Sequence, residues 1–174
     1  VENKTAIATA RAGNVIGGGD WSYDRLVPDI MSALQKKIPI QIRNPNSIRP
    51  WQHVLEPLSG YLTLAKELYG DGKKYAQPFN FGPYDQDAKP VKWIAEKICS
   101  LWPLTSQWTI NNNLEGPHEA HYLKLDISKA KAILNWEPKW NLEKSIDKTV
   151  QWYFDFFYKN EDVTIMTLEQ IKNY

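Results

Sequence analysis

A chain of 174 residues is long enough for one ordinary domain with a real core, and its 43% apolar and 24% charged content is that of a globular protein. Twenty-one Lys and Arg stand against twenty Asp and Glu, dispersed and without a long run, so no field directs the chain to nucleic acid or to an anionic membrane, and neither is expected as a partner. One cysteine, Cys99, excludes an intrachain disulfide, no apolar stretch approaches the roughly 20 residues of a membrane span, and no secretory signal opens the chain, which makes the cytoplasm the default expectation.

The sequence opens Val1-Glu2-Asn3-Lys4 without an initiator Met and runs straight into apolar residues, so it reads as cut from something longer. Residues 6–10 are expected to form a short buried strand. The following Gly13-Asn14-Val15-Ile16-Gly17-Gly18-Gly19-Asp20 reads as a loop whose glycines permit a tight turn or close approach to a ligand. A helix is expected over 24–37, with Leu26, Val27, Ile30, Met31 and Leu34 on one stripe and Pro28 tolerated in the first turn. Residues 38–42 alternate as a strand would, and 43–53, with two prolines, read as a loop with some extended character.

A second helix spans 56–69, with Leu58, Tyr61, Leu62, Ala65, Leu68 and Tyr69 as its expected buried face, and Gly70-Asp71-Gly72 stops it. A strand over 79–82, a helix over 91–102 with Cys99 inward, a strand over 108–110 and a short helix over 128–134 follow. The last clear element is a helix over 142–158 capped by Asn141, with Ile146, Val150, Tyr153 and Phe157 inward. Strands alternating with helices indicate an α/β domain.

Familiar chemical signatures fail. The glycine loop is neither Gly-x-Gly-x-x-Gly nor a phosphate loop closed by Gly-Lys-Ser/Thr. His118-Glu119-Ala120-His121 is one residue short of a zinc-protease helix and lacks a third ligand. The positive signal is a set of polar residues on loops. Asn14 lies where a strand gives way to a turn, the usual place of ligand contacts in α/β sheets. Arg25 stands at a helix N-terminus, where a cation is either solvated or present for an anion. Arg43 and Arg49 flank a stiff Asn-Pro-Asn-Ser-Ile loop that can hold two guanidinium forks in place for phosphate oxygens. For any single arginine a surface ion pair is the ordinary reading; together they point to an anion-binding α/β domain.

Several blocks carry a resemblance. These are Arg11-Ala-Gly-Asn-Val-Ile-Gly-Gly-Gly-Asp-Trp21, Asp24-Arg-Leu-Val-Pro-Asp29, the run from Ile42 through Arg49-Pro-Trp-Gln-His53 to Tyr61, Pro117-His-Glu-Ala-His-Tyr-Leu-Lys-Leu-Asp126, and Leu134-Asn-Trp-Glu-Pro-Lys-Trp140. In order and spacing they resemble the CDP-glucose 4,6-dehydratase family of extended short-chain dehydrogenase/reductases, over nearly the whole chain. The resemblance implies that residues 1–174 are the C-terminal substrate-binding domain, with a few strands left from the Rossmann sheet. An NAD-binding Rossmann portion would lie N-terminal to it, and the cofactor NAD would be held mainly there.

It also implies that Asn14 contacts the substrate near its sugar or diphosphate, and that Arg25 meets the diphosphate. Arg49 would grip the nucleotide, Arg43 the base or ribose side, and His121 and Tyr122 would close over it. Arg11 and Ala12 would mark a strand end passing near the nicotinamide. The implied partner is CDP-glucose, converted by the intact, homo-oligomeric enzyme to the 4-keto-6-deoxy sugar for deoxysugar and cell-surface polysaccharide synthesis.

No catalytic residue is expected in this chain: Tyr69-Gly-Asp-Gly-Lys73 matches Tyr-x-x-x-Lys as a string but is broken by its glycines, so the chain alone is expected to be inactive. The alternatives are part of another NAD-dependent sugar-nucleotide epimerase or decarboxylase, or a non-catalytic nucleotide-binding module. Gly17-Gly18-Gly19-Asp20-Trp21 and Arg49-Pro50-Trp51-Gln52-His53 favour the dehydratase.

Overall fold

The computed structural model describes residues 5–110 and 121–174. It begins with β1 (Thr9–Ala12), β2 (Asn14–Ile16), α1 (Leu26–Lys36), β3 (Ile40–Ile42), β4 (Ile48–His53), α2 (Leu55–Gly70) and the single turn α3 (Gly72–Tyr75). There follow β5 (Pro78–Phe81), β6 (Ala88–Pro90), α4 (Val91–Leu101), β7 (Trp108–Ile110), α5 (Ser128–Leu134), α6 (Leu142–Phe154) and α7 (Val163–Lys172). The fold is mixed α/β, and no helix among the described residues is long and apolar enough to cross a membrane.

The described strands form three small sheets: β1 with β5 in parallel, β3 with β7 in parallel, and a mixed sheet ordered β2-β4-β6. In the mixed sheet β2 runs parallel to β4, with Asn14 opposite Trp51 and Ile16 opposite His53, while β6 pairs antiparallel with the first half of β4. Residues 43–53, expected as a loop with some extended character, are a loop only to Ser47 and a regular strand from Ile48. Pro50 hid the strand, and it is tolerated because it sits at the junction where the β6 pairing ends, at Pro50, and the β2 pairing begins, at Trp51. The supposed glycine loop likewise contains β2, which closes onto β4.

The first strand is shifted and exposed: β1 starts at Thr9, most of it faces solvent, and Ile7 is 72% exposed. Its pairing with β5 covers one edge only. The helix over 55–70 forms, and of its expected face Tyr61 and Leu68 pack against the smaller core, but the rest of that face is turned outward. Glu56, Pro57, Gly60 and Leu64 point inward, whereas Leu58, Leu62 and Tyr69 are exposed.

Glu56 turns the helix. Its carboxylate, fully buried, accepts hydrogen bonds from the backbone N–H of Lys139 (3.0 Å) and of Trp140 (2.8 Å) and from the Tyr174 hydroxyl (2.9 Å). A buried carboxylate is tolerable only when so satisfied, and that requirement outranks a leucine stripe that can remain in water. α2 then ends at Gly70, and Asp71 caps α3 by accepting from Lys74 N–H, so Tyr69 and Lys73 lie on different helices.

The other helices match their patterns. Asn141 caps α6 by accepting from Lys144 N–H at 2.9 Å, and Ile146, Val150 and Tyr153 are buried. The helix widens its hydrogen-bond register at Asp155–Lys159, where a π turn continues it. Cys99 is half-buried against the larger core rather than fully inside it.

That larger core joins α1, α4 and α6 to β3 and β4, and a smaller one lies between α2, β5 and α5.

Candidate functional site

The carboxyl ends and flanking loops of β2 and β3, the N-terminus of α1 and the start of β4 surround a cavity of about 820 Å³. That size suits a drug-sized or nucleotide-sized ligand. Five of the residues singled out in the sequence line it: Asn14, Arg25, Arg43, Arg49 and His121. The chain's four arginines all fall within its first 49 residues; three of them line this cavity, and no lysine among the described residues does. Lysine is the commoner cation here, so a wall built from planar guanidinium forks is a wall suited to bidentate phosphate or carboxylate contacts.

Each polar group is placed by a local feature. Asn14 opens β2, directly opposite Trp51. Arg25 takes the capping position of α1 in extended backbone, and its side chain makes no capping bond. Leu26, Val27 and Pro28, the first turn of that helix, line the same cavity. The open N–H groups of Leu26 and Val27 add the partial positive charge of a helix start, while Pro28 has no N–H to give. Arg43, one residue past β3, reaches Asp24 at 3.5 Å, and both groups stay largely exposed. Asp24 itself adopts a left-handed backbone (φ 59°), which turns the chain into α1.

Arg49 donates to the Ile48 carbonyl at 2.9 Å. Ile48 N–H in turn donates to His121 O at 2.9 Å, and Leu123 N–H to Ile48 O at 3.2 Å, so residues 121–123 lie along the start of β4 like a short strand. Alternation along such a segment turns neighbours to opposite sides. His121 reaches the cavity, and Tyr122, 57% exposed with Lys124 over its ring, is not among the residues that line it. Residues 117–120 of the same block, His118 included, lie outside the described residues.

Asp20, Asp24 and Asp29 also face the cavity. The Asp29 carboxyl is held above the ordinary carboxylate range by burial and then by the nearby Asp24 charge, against the lowering pull of Arg43 and the Asp24 backbone N–H. The cavity therefore joins an arginine-lined wall to a rim that offers acceptors. Asp24, Asp29, Gln41 and Asn44 carried no signal of their own in the sequence. Asp24 could have been found as the acidic partner set just before the Arg25 helix.

The glycines also serve packing, which the sequence did not signal. A side chain on Gly17 would meet Val54, and one on Gly18 would run into the Trp152 ring, while Gly19 sits at φ +80°. Glycine is needed at Gly18 for packing and at Gly19 for the expected turn, while Gly17 lines the cavity.

Arg11 and Ala12 stand apart. They occupy the end of β1, opposite Asn80 and Phe81 of β5, and neither lines the cavity. A strand's carboxyl end is where ligands of parallel sheets lie.

No family model matches the chain. Over 173 residues, 99% of its length, it is 47% identical to a CDP-glucose 4,6-dehydratase of Salmonella typhimurium, of which it covers 48%. Among solved structures it resembles a UDP-glucuronic acid 4-epimerase variant from Bacillus cereus in complex with NAD and a fluorinated UDP-sugar (TM-score 0.72, 16% identity, 87% of this chain and 46% of that one). It also resembles a dTDP-glucose 4,6-dehydratase from Bacillus anthracis in complex with NAD (TM-score 0.63, 18% identity, 88% and 47%). The chain spans about half the length of the relatives it matches. Over that half it has the fold of the NAD-dependent sugar-nucleotide epimerases and dehydratases, and in sequence it is similar to a CDP-glucose 4,6-dehydratase.

Proposed function

We propose that residues 1–174 are the C-terminal substrate-binding portion of a CDP-glucose 4,6-dehydratase. In its intact form that enzyme would convert CDP-glucose to CDP-4-keto-6-deoxyglucose with bound NAD. The observation that carries the reading is the gathering of Arg25, Arg43 and Arg49 with Asn14 around one nucleotide-sized cavity, in a chain so similar to such an enzyme. Guanidinium groups and the start of α1 would take the diphosphate, Asn14 the adjoining sugar or phosphate oxygen, and the Arg43 side the ribose or base. His121 would flank the nucleotide, and Tyr122 would serve only if its segment shifts inward.

NAD supplies hydride transfer when bound, and its holding groups would lie mainly in an NAD-binding portion outside these residues. Arg11 and Ala12 would contribute only at its edge. The exposed β1 edge and the uncovered face of α2 are suited to receive the remainder of such a sheet, and the intact protein would be a homo-oligomer.

The test is a titration of the longer protein that carries this chain with CDP-glucose, UDP-glucose and dTDP-glucose. CDP-glucose should bind most tightly, and Arg49→Ala should weaken it by about 1–3 kcal/mol, the loss expected of a charge-assisted hydrogen bond. A preference for UDP- or dTDP-sugars would move the chain to another sugar-nucleotide enzyme, and an unchanged affinity in Arg49→Ala would remove that residue from the site.

A further inference from the structure

The cavity loop rests on a helix to which the site motifs never point. Asp20 lines the cavity, and its backbone carbonyl accepts a hydrogen bond of 2.5 Å from the hydroxyl of Tyr153, a fully buried residue of α6 that lies 133 positions later in the chain. Beside that bond, Gly18 lies against the Trp152 ring too closely for any side chain. Trp21 completes the seat, with ring centroids 5.3 Å from Tyr153, 5.4 Å from Phe156 and 5.9 Å from Phe157. Trp152 is pinned in turn by a 3.2 Å bond from its indole N–H to Thr167 of α7.

The Asp20 side chain meanwhile accepts from Ser22 N–H at 3.0 Å, which fixes the turn toward Asp24 and Arg25. The whole arm from Gly17 to Arg25 therefore hangs between β2 and α1 with its middle clamped on α6.

We infer that Tyr153 is a positioning residue for the ligand site, its hydroxyl setting the height of the Asp20 carbonyl and, through it, the place of Asp24 and Arg25 on the cavity wall. Burial, together with the nearby Asp20 charge, pushes the Tyr153 phenol up to about 12, so it remains a donor throughout the ordinary pH range. A buried hydroxyl with a single acceptor on a loop is a switchable constraint. Removing the oxygen leaves the ring and its packing, while the loop loses its anchor.

The choice of ligand rests on the function proposed above; the role of Tyr153 in holding the arm does not. The experiment uses the full-length protein that bears this chain and two variants, Tyr153→Phe and Thr149→Val. Thr149 is also buried on α6, and its hydroxyl bonds to the Ser145 carbonyl at 2.8 Å without touching the arm. CDP affinity is measured by calorimetry, KM and kcat with CDP-glucose, and amide exchange at Ser22 and Leu26 by mass spectrometry.

Tyr153→Phe should weaken CDP about 3- to 10-fold, raise KM in proportion with kcat within about twofold, and speed exchange at Ser22 by a similar factor. Thr149→Val should lower the melting temperature and leave all three readings at wild-type values. Equal affinity and equal exchange in Tyr153→Phe would overturn the inference, as would an equal loss in Thr149→Val. A wild-type protein that ignores CDP would sink the proposed substrate alone, and the exchange comparison would still decide the role of Tyr153.

Discussion

The core behind the cavity and the core beneath α2 use the same kinds of residue but close differently. Behind the cavity, nineteen buried residues from α1, α4, α6, α7 and the strands pack from all sides, and Ile30, Met31, Ile94, Ile98 and Ile146 are all but fully enclosed. Beneath α2 only eight are buried, around Phe79 and Phe81. The strand pair above them has an open edge at β1, and Leu58, Leu62 and Tyr69 stand in water on the outer side of the helix. A parallel pair ordinarily needs cover that these residues do not supply. The site thus rests on the half of the fold that supports itself, and the half that would meet a cofactor portion presents the unfinished surface.

The sharpest way to break this contrast is to remove the pivot of the smaller core. Phe81 is fully buried, meets Tyr61 and Trp136 edge to face at 5.5 and 4.9 Å, and is backed by Gly60. Phe81→Ala should cost about 3–5 kcal/mol in urea denaturation, as large aromatic truncations do, while Ile94→Ala in the larger core should cost about 2–5 kcal/mol. If the two regions are as separate as their packing indicates, Phe81→Ala should unfold the β1–β5 side first and leave Trp21 and Trp152 fluorescence to report a later transition. A single coincident transition would show that the smaller core is an integral part of the larger one.

Next in size is a pH effect lodged between the two regions. His53, at the end of β4, is buried against Trp140 at 4.9 Å and takes a bond on Nδ1 from Leu55 N–H, while Nε2 has no partner. Burial alone holds its pKa down to about 4, against 6.5 in the open chain. Between those values the unfolded chain binds the proton and the folded one does not, so stability is full above about pH 6.5 and falls as the pH is lowered toward 4. The loss reaches about 3 kcal/mol at the lower end. A denaturation series over this window should show the slope, and a curve that stays flat between pH 6.5 and 4.5 would contradict it.

The same two regions explain what could be read from the sequence. Around the larger core, local signals agree with the fold: the α1 stripe, the Asn141 cap and the Ile146-Val150-Tyr153 face all say what the structure says. The arginines of the cavity were legible only as a group: each alone reads as a surface ion pair, and it was the closeness of Arg25, Arg43 and Arg49 in the chain that pointed to an anion site. Around α2 the local signal found Tyr61 and Leu68 but missed Glu56 and its neighbours, since that part of the inward face is decided by partners of Glu56 that lie 83, 84 and 118 residues away. No window of helical length contains that information. β4 failed for a related reason, because Pro50 is acceptable only where β2 and β6 divide the strand between them. The Tyr153 anchor was legible only as a core position: the periodicity gave its burial, but its acceptor sits in another element.

The smallest thermodynamic effect should carry the largest change in association. Leu62 is 73% exposed on the outer face of α2, in line with Leu58 and Tyr69 at helical spacing. Leu62→Lys removes no packing, so the stability of the 174-residue chain should move by no more than about 0.5 kcal/mol. The apolar stripe and the β1 edge together are nevertheless the kind of surface through which isolated chains pair. Sedimentation equilibrium should find the unmodified chain heavier than a monomer at high concentration, and the Leu62→Lys chain shifted toward monomer at matched concentration. A clean monomer for both would mean that the uncovered face of the smaller core is soluble as it stands. The asymmetry between the two cores would then be one of packing alone, with no consequence for assembly.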